Sequence, residues 1–208
     1  MEKLEPGNLR EAKGQVDWEL WKKAMEEELT MLNDAGTWEL IDPPTGVNIV
    51  GSKWVFKAKK DAAGNVIHYK ARLVAQGFSQ VPGVDYFDTF APVAKLASIR
   101  AVLAIAAAQD MEIHQIDIKG AYLNRKLTEN ERIYMKQPPS FIDPTYPYRV
   151  CYLKKTLYGL KQSRRHWYQR LCEILVNNLG FTRCNVDQSV FFKTIDHELT
   201  IILDQSSL

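Results

Sequence analysis

The chain has 208 residues and a mass of 23.9 kDa, with 46% hydrophobic residues, 25% charged residues and a formal net charge of +2. That is enough for one large or two small cored domains, and it excludes a disordered tail, a collagen-like fibre and a disulfide scaffold. The longest apolar run, Ala101 to Ala108, is far too short to cross a bilayer, and Met1 to Asp17 shows no apolar signal segment.

In chain order, Val16 to Leu32 has helical spacing, with Trp18, Trp21, Met25, Leu29 and Leu32 on one stripe and Glu26, Glu27 and Glu28 predicted to face outward. Pro43, Pro44 and Gly46 mark a loop. Lys53 to Lys60 alternates Trp54, Phe56 and Ala58 with lysines, the period of a strand. A turn at Asp61 to Asn65 returns the chain as a second strand over Val66 to Val74, which predicts a hairpin. Gln80 to Pro92 reads as a loop. The alanine-rich stretch Ser98 to Gln109 predicts a buried helix, and Glu112 to Ile118 alternates like a central strand ending near Asp117. Short strands are predicted at Ile133 to Met135 and Cys151 to Leu153. Gln162 to Leu179 is an amphipathic helix with Trp167, Leu171, Ile174, Leu175 and Leu179 on one stripe, closed by Gly180. Val190 to Lys193 and Leu199 to Leu203 read as a further hairpin.

The small net charge hides an uneven distribution. Gly51 to Gln80 holds Lys53, Lys57, Lys59, Lys60, Lys70 and Arg72 against Asp61, a net of +5. Arg149 to Arg170 holds seven cations and no acid, a net of +7, which leaves the rest of the chain at −10. Two basic segments on an acidic body predict a polyanion held at defined places, with two solvated faces as the plainer alternative. The interleaved aromatics, among them Trp54, Phe56, Phe78, Tyr158 and Trp167, suit base stacking or half-buried strands and a helix face equally.

Cys151, Cys172 and Cys184 form no C-x-x-C pair and, with four scattered histidines, no zinc spacing, so they read as reduced thiols of an intracellular protein. Gly46 to Lys53 superficially has the glycines of a phosphate loop. That motif needs lysine before the hydroxyl, and Ser52 precedes Lys53, so it is rejected. His68, His114, His166 and His197 read as surface or satisfied polar groups. Asp117 is the most informative residue: a carboxylate at a strand end before Gly120-Ala121-Tyr122 suits either a divalent cation or a helix cap. Beside two basic segments the cation reading gains, because magnesium on a carboxylate with Lys and Arg on a triphosphate is what phosphoryl transfer needs.

Several phrases then follow one another in a telling order: Thr37-Trp-Glu-Leu, Lys53-Trp-Val-Phe-Lys, Tyr69-Lys-Ala-Arg-Leu-Val-Ala-Gln-Gly-Phe, Thr89-Phe-Ala-Pro-Val, Ser98-Ile-Arg, Gln115-Ile-Asp-Ile-Lys-Gly-Ala-Tyr-Leu-Asn, Ile133-Tyr-Met and Leu157-Tyr-Gly-Leu-Lys-Gln. From Trp18 to Leu203 this series resembles the reverse transcriptase of copia-type retrotransposons. The resemblance implies an α+β, right-hand polymerase fold. It divides the chain into an N-terminal helical segment over 1–36, fingers with the basic hairpin over 37–90, and a palm over 91–208 whose antiparallel sheet packs on helices.

The resemblance also implies roles. Lys59 and Arg72 would bind the incoming deoxynucleoside triphosphate, with Lys57 and Lys60 competing for the first assignment. Asp117 would be the catalytic, metal-binding carboxylate of the palm, and the Ile118 carbonyl would add a ligand to Mg²⁺. Tyr122 would lie under the sugar and exclude a 2′-hydroxyl. Tyr158, Gly159, Lys161 and Gln162 would line the template and the nascent pair. The implied partners are an RNA or DNA template–primer and dNTPs, with no membrane, and cytoplasmic particles would suit the family. Arg164 stands where the family favours proline.

The family carries Tyr-Val-Asp-Asp on a hairpin that completes a two-metal site. Leu199 to Leu203 resembles the strand leading into it, after which the chain reads Asp204-Gln-Ser-Ser-Leu208 without an Asp-Asp pair. Val186-Asp187-Gln188 is set aside as structural. The expectation is a palm truncated before the catalytic hairpin, an RNA-directed DNA polymerase by family that is inactive or nearly so alone, with an open sheet edge. The alternatives are a non-catalytic nucleic-acid-binding module and an inert fragment of a decayed element.

Overall fold

The computed structural model describes residues 5–118 and 120–205. Asn8 caps a short helix, α1 (Leu9–Lys13), by accepting the Glu11 N–H through its side chain. Helix α2 (Trp18–Asp34) follows and buries Trp21, Met25 and Leu32, the stripe predicted from their spacing. After it come two short strands, β1 (Trp38–Ile41) and β2 (Ile49–Val50), and then the hairpin of β3 (Ser52–Lys60) and β4 (Val66–Ala75).

The hairpin forms because its alternation gives it one apolar face. Trp54, Phe56, Ala71 and Leu73 are buried on that face, and α2 covers it. Trp21 meets Phe56 and Tyr69 edge-on, at centroid distances of 5.3 and 4.6 Å, and Tyr69 donates its hydroxyl to Asp17 at 2.8 Å. Trp21→Ala should therefore cost about 3–5 kcal/mol in urea denaturation, and a loss under about 1 kcal/mol would contradict this packing. Glu28 departs from the outward placement predicted for it. It is buried at 7% exposure, because its carboxylate accepts the Leu73 N–H at 3.3 Å, a donor of the β4 edge that the two-stranded ladder leaves unpaired.

The four-stranded sheet has the order β1-β6-β5-β2, with β5 (Tyr134–Met135) and β6 (Val150–Leu153) supplied by the middle of the chain. Its β2–β5 pair is parallel and the other two are antiparallel. Its inner side, with Val50, Met135, Cys151 and Leu153, joins the same apolar cluster as α2 and the hairpin.

A second cluster lies under helix α4 (Ser163–Cys172), whose preceding helix in the chain is α3 (Leu96–Ala108). From Cys172 the coil continues through a π-type turn over Glu173–Asn178 and ends at Gly180, where φ is +71°. Trp167, Tyr168, Leu171 and Leu175 pack there against Phe191 of a three-stranded antiparallel sheet, β7 (Thr182–Arg183), β8 (Val190–Ile195) and β9 (Glu198–Leu203). The molecule is thus mixed α and β with small, mostly antiparallel sheets.

Two predictions for the middle of the chain are corrected. Helix α3 forms, but it is not buried: only Ala106 falls in the buried class, Leu96 is 61% exposed, and neither apolar cluster draws on it. It is anchored at its N-terminus, where buried Asp187 accepts the Lys95 N–H at 3.0 Å and Lys95 donates to the Val186 carbonyl. Burial alone would raise the Asp187 carboxyl, but hydrogen bonds from Ser189, Ser98 and Lys95 hold it far below the ordinary range. Asp187 is thus structural, as read from its position before the hairpin. Glu112 to Ile118 is not a strand. It runs exposed and pairs with no strand among the described residues, Ile116 at 82%, and an extended segment without a paired neighbour is not a strand of a sheet.

Among the described residues no helix is long and apolar enough to cross a membrane, and all three cysteines are free thiols.

Candidate nucleic-acid and nucleotide site

The register of the hairpin decides which cations act together. Lys53 faces Val74, Val55 faces Arg72, Lys57 faces Lys70 and Lys59 faces His68, so Lys53, Lys57, Lys59, Lys70 and Arg72 share the face turned away from α2. Lys57 pairs with Glu5 at 3.0 Å. Lys60 lies beyond a register shift at the tip, outside this row. Lys70 is one cation of the basic segment to which the sequence alone gives no site role, although its spacing of two from Arg72 puts both on one face.

Crowding shows in the titration of Lys70. Its ammonium is held below the ordinary lysine range by burial first and then by the charge of Arg72, with Lys59 adding to the effect while Glu28 and Asp117 oppose it. The row is backed by Glu28, whose carboxyl is raised by burial despite the Leu73 hydrogen bond and the nearby charges of Arg72 and Lys70.

The turn after β6 closes onto this face. The Ala75 N–H donates to the Tyr158 carbonyl at 2.8 Å, satisfying a second donor of the β4 edge. The Arg72 guanidinium lies 5.1 Å from the centre of the Tyr158 ring, within cation–π range. Tyr122 meets the same ring edge-on at 4.9 Å, and the Thr156 hydroxyl donates to the Tyr122 carbonyl. Gly159 has φ +87°, and a Cβ there would collide with the Ala75 carbonyl oxygen. Burial raises the Tyr158 hydroxyl above the ordinary phenol range, with Arg72 opposing and Glu28, Tyr122 and Asp117 adding.

Asp117 thus acts electrostatically on Lys70 and on Tyr158, and Arg72 acts on the same two groups. Asp117 and Ile118 lie in the exposed stretch before Gly120, Ile118 at 45% exposure. Lys59, Arg72, Asp117, Tyr122 and Tyr158 are thereby linked through shared neighbours. Among the described residues no group of three or more His, Cys, Asp or Glu is placed to hold a metal ion.

A groove of about 280 Å³ opens beside this corner, lined by Gly77, Phe78, Tyr122, Gly159, Lys161 and Arg164. Gln162, grouped with Lys161 from the sequence, does not reach it. Gln162 is fully buried; its amide donates to the Asp85 carbonyl at 2.9 Å and accepts from Gln80 at 3.1 Å. Gln80 in turn accepts the Lys161 N–H, and Asp85 accepts from Asn48 and the Val81 N–H. This buried network fixes the loop carrying Phe78 against the turn carrying Lys161.

The sequence matches the family described as Reverse transcriptase (RNA-dependent DNA polymerase) over residues 35–204. It is 45% identical over 174 residues to the Retrovirus-related Pol polyprotein from transposon RE1 of Arabidopsis thaliana, an alignment covering 83% of this chain and 12% of that protein. It is 40% identical over 199 residues to the corresponding polyprotein from transposon TNT 1-94 of Nicotiana tabacum, covering 96% of this chain and 15% of that protein. The chain therefore spans only a small part of the length of these relatives. No solved structure matches it.

Proposed function

Because the chain belongs to the reverse transcriptase (RNA-dependent DNA polymerase) family, in its copia-type branch, we propose that its basic corner binds a template–primer and an incoming dNTP. On this reading residues 1–36 are a helical brace, 37–90 the fingers and 91–208 palm. The observation that carries it is the row of Lys59, Lys70 and Arg72 on one hairpin face, closed by a Tyr158 ring that lies 5.1 Å from the Arg72 guanidinium and edge-on to Tyr122 at 4.9 Å.

The chemistry follows from the side chains. The row of Lys59, Lys70 and Arg72 offers charge to a triphosphate, and the planar Arg72 fork, set against the Tyr158 ring, suits bidentate contact with phosphate oxygens. On this reading Tyr122, which packs edge-on against Tyr158, presses on the sugar and rejects a 2′-hydroxyl. The missing Cβ at Gly159 lets the turn seat on the Ala75 carbonyl, which sets Lys161 beside the groove. Gln162 supports this turn from below instead of touching template.

The Asp117 carboxylate and the Ile118 carbonyl are hard oxygen donors that fit one magnesium ion, which ordinarily keeps several waters and takes its remaining oxygens from substrate phosphates. Bound there, the metal would neutralise triphosphate charge. The described residues do not fit a pair of metals, since among them no group of three or more His, Cys, Asp or Glu is placed to hold metal ions. We therefore propose that this 208-residue chain binds its substrates and by itself extends primers slowly or not at all.

Titration with a fluorescent dNTP in magnesium tests the site. Arg72→Ala should weaken binding about tenfold or more, roughly 1.4 kcal/mol, and Asp117→Ala should remove its magnesium dependence. Primer extension tests the second half: robust synthesis abolished by Asp117→Ala would overturn the slow-or-inactive reading. Template–primer binding without any Asp117 or magnesium effect would instead favour a purely nucleic-acid-binding role, to which the lack of a cluster of three or more metal-binding side chains among the described residues lends support.

A further inference from the structure

The loop between the hairpin and α3 carries apolar side chains where a folded chain ordinarily hides them. Phe78 is 78% exposed, Phe87 63% and Phe90 67%. The loop is not loose, because the Asn48, Gln80, Asp85 and Gln162 network pins it from inside. Phe78 lines the groove that also holds Lys161 and Arg164. Farther along, Asp88 pairs with Arg165 at 2.9 Å and accepts the Phe90 N–H, so the Phe87 to Phe90 stretch is tied to the same helix turn as Arg164.

The charge around these rings is equally selective. The acids of the loop, Asp85 and Asp88, are both spent on internal partners, Asn48 and the Val81 N–H for one, Arg165 and the Phe90 N–H for the other. Exposed rings on a tied-down loop beside cations, with the loop's carboxylates already engaged, complement a polyanion that has flat apolar faces of its own. Unpaired nucleotides meet that description and duplex does not, since its bases are already stacked on one another.

We propose that Phe78, Phe87 and Phe90 are a stacking track for the unpaired template strand ahead of the primer end, with Phe78 nearest the groove. This rests on the template–primer reading above, and it assigns the rings the positioning of template bases, not a catalytic step.

The test is fluorescence anisotropy with the full chain, comparing a template–primer with a long single-stranded overhang against the blunt duplex at two salt concentrations. Phe87→Ala and Phe90→Ala should each weaken overhang binding about tenfold and leave blunt-duplex binding within about twofold, and Phe78→Ala, whose ring lines the groove, should weaken overhang binding at least as much. The salt slope should stay the same, because phosphate contacts are untouched. Phe→Tyr at the same positions should restore affinity, and Phe→Leu, apolar without a ring face, should not. Equal losses on both substrates, or no loss on the overhang, would overturn the proposal while leaving the template–primer reading intact. So would a change in sedimentation without loss of overhang affinity, since the rings would then cover another protein surface. Failure of the unaltered chain to bind either substrate, even at low salt, would remove both.

Discussion

Glu131→Ala should lower the stability of the chain by about 3–5 kcal/mol at neutral pH, measured by urea denaturation. Glu131 is 8% exposed and accepts from buried His166 through Nε2 at 2.8 Å. It also accepts the Thr128 N–H at 3.2 Å and the Thr128 hydroxyl at 2.8 Å. Removing it strands an imidazole that is 4% exposed and whose Nδ1 has no hydrogen-bond partner among the described residues. The pair also joins the two apolar clusters, since Glu131 precedes β5 and His166 lies on α4. A loss below about 1 kcal/mol would show that the two clusters hold together without it.

The same contact has a predictable pH signature. Burial alone would raise the Glu131 carboxyl, but the hydrogen bonds from His166 and Thr128 outweigh it and hold the group at about 2, against 4.5 for a free glutamate. A depressed carboxyl stabilises the fold fully above its unfolded value and loses that stabilisation as pH falls through 4.5 toward 2. The shift corresponds to about 3 kcal/mol, so the gap between the unaltered chain and Glu131→Ala should narrow by that amount on acidification to about pH 2. A gap independent of pH over that window would contradict the assignment.

Gly159→Ala should cost about 2–5 kcal/mol and lower the melting temperature by roughly 10 °C. Two costs add. The φ of +87° is left-handed, and a Cβ would collide with the Ala75 carbonyl oxygen and stand 2.6 Å from Val74 Cγ1. Backbone cannot step aside as a flexible side chain can, so the turn must lift off β4 and the Ala75–Tyr158 hydrogen bond must lengthen. Gly64→Ala supplies the comparison, because φ there is +86° with nothing within 4 Å of the added carbon. That variant carries backbone strain alone and should lose only about 1–2 kcal/mol. If the two cost the same, the close approach at Gly159 is not part of the structure in solution. A full effect at Gly159 should also weaken template–primer binding, since the groove is built on that contact.

What could be read from the chain follows from how local each signal is. The stripe of Trp21, Met25 and Leu32 and the alternation of Trp54 and Phe56 are covered by their immediate neighbours in sequence, α2 and the hairpin, so period alone located them. Arg72 and Lys59 were visible in the basic segment, and the phrases around Asp117, Tyr122 and Tyr158 were visible as family resemblance. Lys70 was visible as one cation of the basic segment and Phe78 as one aromatic suited to stacking or packing, but that both flank one corner was not, because nothing in a one-dimensional pattern states that the turn at Gly159 folds back onto β4.

The errors share one cause. Ser98 to Gln109 and Glu112 to Ile118 have the composition of buried elements, yet burial needs a partner surface and a strand needs a paired neighbour, and among the described residues neither segment has one. Glu28 fails in the opposite sense. Its charge predicted solvent, but a hydrogen-bond donor stranded on the β4 edge drew the carboxylate inward. Gln162 likewise has the polarity of a contact residue and serves as an internal strut.

By itself, then, the amino-acid order settled the helical and extended segments with adjacent partners, the two concentrations of positive charge and the family, because periodicity, composition and motif order are properties of the chain. Only the tertiary structure decided which cations share a face, which polar groups lie buried and which apolar residues stay in water. Those depend on the distance between segments far apart in sequence, and the chain's order does not encode distance except through the packing it produces.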